Sequence, residues 1–156
     1  MKSSRILPEG YSPLSTAPLP LSAIQEAMDQ REILEAPVLR CDAAHNLHVR
    51  FRGYEGLIPR SEAISPLVSG ADREIAILSR VGHSVQFVIT SLAITGAGKP
   101  LLLLSRRAAQ ERALSFLLEN CPPGTVLRGK ITRLERFGAF VDIGAGVVGL
   151  LPLDHI

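Results

Sequence analysis

One pattern occurs twice in this chain, and on its second appearance it ends with the chain. Residues 49–64 read VRFRGYEGLIPRSEAI and residues 141–156 read VDIGAGVVGLLPLDHI. Gly53, Gly56, Leu57 and Pro59 map onto Gly146, Gly149, Leu150 and Pro152, a constant offset of 93 (146 minus 53). The same offset lays EILEAPVLRCD (32–42) on TVLRGKITRLE (125–135). Likeness over a whole block at a fixed spacing means two copies of one module. A chain of 156 residues is then one complete small domain plus part of another, and neither can bury a large core. The first copy runs on to residue 105 through two further strand-like stretches, whereas the second stops at Ile156. The second module is therefore expected to be truncated.

The order of elements follows from period and punctuation. Residues 1–20 carry Pro8, Pro13, Pro18 and Pro20 among small polar residues, the composition of an extended arm without a core of its own. A helix is predicted over 21–32, capped by Ser22, with Ile24, Ala27 and Met28 on one face. From Ile33 the pattern turns strand-like: ILEAPVLRCD, then NLHVRF with Leu47, Val49 and Phe51 alternating, then YEGLIP behind a tight turn at Gly53. After a helical ADREIAILSRVG come SVQFVITSL and PLLLLS. Five short strands over 33–105, with a helical insertion between the third and fourth, suggest a Greek-key barrel of the oligonucleotide-binding type. A linker helix over 106–122 would bury Ala109, Ala113, Phe116 and Leu117. Residues 123–156 begin a second barrel. The predicted class is mainly β with helical connectors, two five-stranded Greek-key barrels of which the second is incomplete. Open strand edges invite pairing between chains, so self-association through residues 125–156 is expected.

Charge is uneven. The net charge of +2 announces no nucleic-acid partner by itself, but 14 of the 17 basic residues are Arg. Between Lys99 and Arg136 eight basic residues face Glu111, Glu119 and Glu135, a local excess of five (8 minus 3). Arginine's planar fork grips phosphate and stacks on bases; a solvated helix face accounts for Arg106 to Arg112 equally well. With five Phe, two Tyr and no Trp, an aromatic ring on a surface would stand out. In the second module, Ala139, Val141 and Ile143 share one parity, which leaves Phe140 and Asp142 on the other face. Arg128 and Lys130 point to one side of the preceding strand, and Phe137 sits at the turn. Rings flanked by cations on a strand face are what single-stranded nucleic acid requires. The same spacing also suits two core rings beside ordinary surface cations.

GTVLRGKITRLERFGAFVDIG resembles the start of the RNA-binding barrel of the ribosomal protein S-one type, whose hallmark is a Phe-Gly-Ala-Phe-Val run after a Gly-x-Val-x-x-Gly strand. The order of degenerate barrel, SRR-AQE helix and good barrel is similar to the short S-one-like proteins of clostridial-type bacteria. The resemblance implies that Phe137 and Phe140 stack bases and that Arg128, Lys130, Arg133 and Arg136 hold the RNA backbone. The family commonly places His after its Gly-Leu-Val; Pro152 fills that slot here and Pro59 in the first copy, and His155, three residues on, completes the predicted RNA-binding set. In the first module Glu35 and Pro37 correspond to Arg128 and Lys130, and His48 falls where Phe140 lies. That module is expected to dock on protein, plausibly the small ribosomal subunit.

Other chemistry is poorly supported. Cys41, His45 and His48 offer three metal ligands with no fourth at usable spacing, so no metal and no cofactor are expected. TGAGKP lacks the hydroxyl residue and following helix of a phosphate loop and reads as a hairpin turn. No nucleophile lies beside a base, and Asp142 reads as a solvated acid. Two isolated cysteines, no signal-peptide pattern and no long apolar run place the chain in the cytoplasm, away from membranes. The expected function is non-catalytic binding of single-stranded RNA, such as mRNA, in translation. The alternatives are a protein-docking module without RNA binding and the N-terminal fragment of an RNA-processing enzyme.

Overall fold

The structure, a computed structural model, describes residues 6–64 and 70–156; residues 1–5 of the arm and 65–69 of the first module lie outside the described residues. Helix α1 spans Leu21–Asp29, followed by strands β1 (Leu34–Cys41), β2 (Leu47–Phe51) and β3 (Tyr54–Ile58). Helices α2 (Arg60–Ala63) and α3 (Gly70–Leu78) precede β4 (Ser84–Ile94) and β5 (Pro100–Ser105). These five strands close into a barrel in the order β1-β2-β3-β5-β4, with β3 and β5 parallel and the other pairs antiparallel. Alternation along β2 sends Leu47, Val49 and Phe51 inward, where they meet Val38, Ile58, Phe87, Ile89 and Leu104. Phe51 and Phe87 pack edge to face, their centroids 5.6 Å apart. Ile24 of α1 and Ile77 of α3 join this core. TGAGKP forms the turn between β4 and β5, with the Thr95 N–H donating to the Lys99 carbonyl.

Helix α4 (Arg106–Asn120) starts at the end of β5, where the Ser105 hydroxyl caps it by accepting from the Ala108 N–H. Strands β6 (Lys130–Glu135), β7 (Gly138–Asp142) and β8 (Val148–Pro152) then form a three-stranded antiparallel sheet in that order, followed by a 3-10 turn over Leu153–His155. Among the described residues no further strand joins this sheet. Ile131 and Leu151 are exposed, while their first-module counterparts Val38 and Ile58 are buried.

Strand pairing shows how far the two copies agree. Val38 faces Val49 and Ile131 faces Val141; one bulge later Arg40 faces His48 and Arg133 faces Phe140. The β1–β2 connection is one residue longer than β6–β7, and the β7–β8 turn is one residue longer than β2–β3. The two changes cancel, which is why the sequence offset is the same at both ends of the repeat.

The arm crosses both copies of the β-turn. Near its C-terminal end, the Leu19 N–H donates to the Arg52 carbonyl in the β2–β3 turn. Near residue 7, the Leu7 carbonyl accepts from the Ala145 N–H in the β7–β8 turn and from Gln86 Nε2 of β4. Glu9 joins three elements at once. Its carboxylate accepts from Arg106 Nη2 at 2.7 Å and Nε at 3.0 Å, while its N–H donates to Asp142 Oδ2 at 3.0 Å. Arg106 Nη1 donates to the Ala63 carbonyl, and Asp142 Oδ1 accepts from the Gly144 and Gly146 N–H groups. Glu9, Arg106 and Asp142 are all buried. Burial pushes the Glu9 carboxyl above the usual carboxylate range, against the opposing charge and hydrogen bond of Arg106. Gly146 must be glycine here: its φ is +78°, and a Cβ would lie 2.1 Å from Glu9 Oε1.

Three local expectations are corrected. Ser22 lies inside the first turn of α1; Pro20 is the residue before the helix, and its carbonyl accepts from the Ala23 and Ile24 N–H groups. Phe116 is exposed, because the buried stripe of α4 runs Arg106, Ala109, Ala113, Leu117 and Phe116 falls one position off it. Asp142 is a buried acceptor of three backbone N–H groups, not a solvated acid.

Removing one partner of a buried ion pair strands the other charge. Arg106→Ala is expected to destabilise the chain by about 3–5 kcal/mol in chemical denaturation. The paired Glu9→Ala/Arg106→Met variant is expected to recover part of that loss.

Candidate nucleic-acid interface

The outer face of the β6–β7 hairpin carries Lys130, Arg133 and Phe140, and a bulge arranges them. Strict alternation would put Arg133 on the same side as Ile131, towards the sheet's inner face. The extra residue between Ile131 and Arg133 shifts the register, so Arg133 stands directly opposite Phe140. Its guanidinium lies 5.7 Å from the centre of the Phe140 ring. Phe137, at the turn, meets Phe140 edge to face with centroids 5.9 Å apart and ring planes at 89°. Phe137 is 56% exposed and Phe140 half-buried, so neither ring belongs to a closed core. Lys130 pairs with Asp142 one step along the same face, and Arg128 lies two residues before the strand begins.

Gly138, between the rings, makes this geometry possible. Its φ is +156°, and a Cβ there would come within 2.2 Å of the Leu151 carbonyl oxygen of β8. Any side chain would push β8 off β7. The Phe-Gly-Ala-Phe run thus has a physical logic: rings on the outside, Ala139 buried beneath, and a glycine where the next strand passes too close for a Cβ.

The structure brings Phe137, Phe140 and Arg133 together. Arg128 is exposed, and its Nη1 donates to the Tyr11 hydroxyl at 2.9 Å; Lys130 is exposed too, its Nζ 3.4 Å from where a Cβ on Gly10 would stand. Arg133 also pairs with Glu135. Arg136 is exposed at the β6–β7 turn. His155 is exposed in the terminal 3-10 turn, two residues beyond Leu153, whose N–H donates to the Phe137 carbonyl. A crevice of about 440 Å³ reaches this sheet at Thr132 and Val148, with Arg80, Arg107 and Gln110 on its other wall.

The equivalent face of the first barrel is chemically different. His48 occupies the Phe140 position, as the strand alignment anticipates, but its ring is tied down. Nε2 lies 2.8 Å from Asp42 Oδ2, and Nδ1 lies 3.3 Å from Arg40 Nη2. The His48 hydrogen bond, with backbone and side-chain donors from Asn46, holds the Asp42 carboxyl at about 2. Glu35, at the Arg128 position, accepts from the Gly10 N–H. Among the described residues no three His, Cys, Asp or Glu side chains form a metal-binding group, and no helix is long and apolar enough to cross a membrane.

Comparison with known proteins agrees with the second module's geometry. Residues 121–156 match the family model of the S1 RNA binding domain. The small ribosomal subunit protein bS1 of Streptococcus pneumoniae (strain ATCC BAA-255 / R6) is 32% identical over 115 residues, 70% of this chain and 26% of that protein. The bS1 protein of Staphylococcus haemolyticus is 29% identical over 137 residues, 85% of this chain and 32% of that protein. That of Staphylococcus aureus (strain N315) is 28% identical over 139 residues, with 86% and 32% covered. The chain therefore spans about a third or less of the length of these curated relatives.

Gly138→Ala is expected to separate β8 from β7. Amide hydrogen exchange should then speed up across Lys130–Pro152 while the β1–β5 barrel keeps its protection.

Proposed function

Because residues 121–156 make this chain a member of the S1-type RNA-binding domain family, we propose that it is a non-catalytic protein that binds single-stranded RNA in translation. The observation that carries this reading is the pairing of two accessible rings, Phe137 and Phe140, with the guanidinium of Arg133 over one of them. Bases stack on such rings, and Lys130 and Arg136 of the same hairpin, with Arg128 just before it, neutralise the phosphates. His155, exposed in the terminal 3-10 turn, completes the proposed set. The sheet β6–β8 is the first part of an oligonucleotide-binding barrel, repeating the hairpins that the first module closes with β4 and β5.

The first barrel serves as a docking unit. Its His48 is held by Asp42 and Arg40, and Glu35 stands where the second module has Arg128, so its face offers no open ring beside free cations. The bS1 name of the relatives makes the small ribosomal subunit its proposed partner and the cytoplasm its proposed location. The edges of β6 and β8, unpaired among the described residues, provide a route to self-association.

Fluorescence anisotropy of a labelled single-stranded RNA over a salt series tests this function. Affinity is expected to fall as salt rises, because phosphate contacts release counterions. Phe140→Ala is expected to weaken binding by about 1–3 kcal/mol at each salt concentration. Binding that ignores both salt and Phe140→Ala would favour protein docking alone.

A further inference from the structure

We infer that Tyr11, on the N-terminal arm, is a third base-stacking ring of the RNA surface, contributed from outside the β6–β8 sheet. The inference rests on the single-stranded RNA reading above and extends its binding site.

Tyr11 is 45% exposed in a chain with only two tyrosines and no tryptophan. The other tyrosine, Tyr54, is half-buried and donates its hydroxyl to the Leu19 carbonyl, a structural role. Tyr11 is held differently. Pro8 is fully buried beneath the arm, the Tyr11 N–H turns back to the Pro8 carbonyl, and the intervening Gly10 adopts φ +73°. The Gly10 N–H donates to Glu35 Oε1 at 2.6 Å, and Glu9 is fixed to Arg106. The backbone leading into the ring is thus pinned, and the ring's hydroxyl accepts from Arg128 Nη1 at 2.9 Å. A ring ordered before binding loses little freedom on stacking.

Its position extends the row already described. Lys130 and Arg133 lie along β6, Arg128 lies two residues before its start, and Arg133 sits over Phe140. Five residues separate Arg128 from Arg133, a reach of at most about 18 Å for an extended chain. Phe137 and Phe140 mark one end of this cationic row and Tyr11 the other, a span suited to a strand of several nucleotides. The nearby acid, Glu35, accepts from the Gly10 N–H, and burial raises its carboxyl above the usual range. Arg128 thereby gains two functions: it meets phosphate, and it orients the ring.

Two measurements on the full chain test this. In anisotropy with oligouridylates of about 4 and about 12 nucleotides, Tyr11→Ala is expected to weaken the longer RNA roughly tenfold and the shorter one little, with Tyr11→Phe within about twofold of wild type. In a Tyr54→Phe background Tyr11 is the sole tyrosine, so its emission is expected to be quenched by the longer RNA. Wild-type affinity in Tyr11→Ala, with Phe140→Ala still weakened, would overturn this inference and leave the RNA reading standing. Tighter binding by Tyr11→Ala would overturn it too, showing that the arm covers Arg128 instead. A loss in Tyr11→Phe equal to that in Tyr11→Ala would assign the effect to the hydroxyl and not to stacking. Absence of RNA binding by the wild type would defeat both readings together.

Discussion

The ion pair between Glu9 and Arg106 is the contact on which the arrangement of the two modules depends. It is buried, and it ties the arm, the start of α4 and the β7–β8 turn through Asp142. Buried pairs give no large net stabilisation, because desolvation offsets most of the attraction; breaking one is what costs heavily. Its main contribution is therefore positional. With Glu9 and Asp142 both committed to specific donors, the second sheet has one way to sit against the first barrel, and Gly146 is held to glycine by the same packing.

From this position follows a division of labour between two copies of one hairpin. Both contain the bulge that sets a cation opposite the outward ring position, Arg40 to His48 and Arg133 to Phe140. In the first copy an acid and a guanidinium occupy both ring nitrogens of His48; in the second Arg133 lies over the Phe140 ring, which stays half-exposed beside Phe137. One backbone geometry thus yields a closed polar knot in one module and an accessible pair of rings in the other. The same arm caps both turns, so divergence has been in the side chains more than in the framework.

Much of the fold is legible in the residues. The alternation Leu47, Val49, Phe51 and the helical stripe of Ala109 and Ala113 report burial directly, because their periods match the elements that bury them. The bulge at Thr132 is not legible, since alternation is the signal it breaks; only its recurrence at Leu39 reveals it as part of the repeat. Docking of the arm was equally hidden. Proline-rich polar sequence implies extension but carries no information about what the extended chain lies against, so Glu9, Tyr11 and the burial of Asp142 required three-dimensional structure. Phe137 and Phe140 stand out in the sequence through their motif, and Gly138 explains why the motif has its spacing.

The most direct test of where RNA binds is amide chemical-shift mapping of the full chain titrated with an oligouridylate. The account requires the largest changes on β6, β7 and their turn, around Arg133, Arg136, Phe137 and Phe140, with the outer face of β1–β2 around Arg40 and His48 unmoved. Changes concentrated on β1–β2, with the Phe140 region silent, would contradict it.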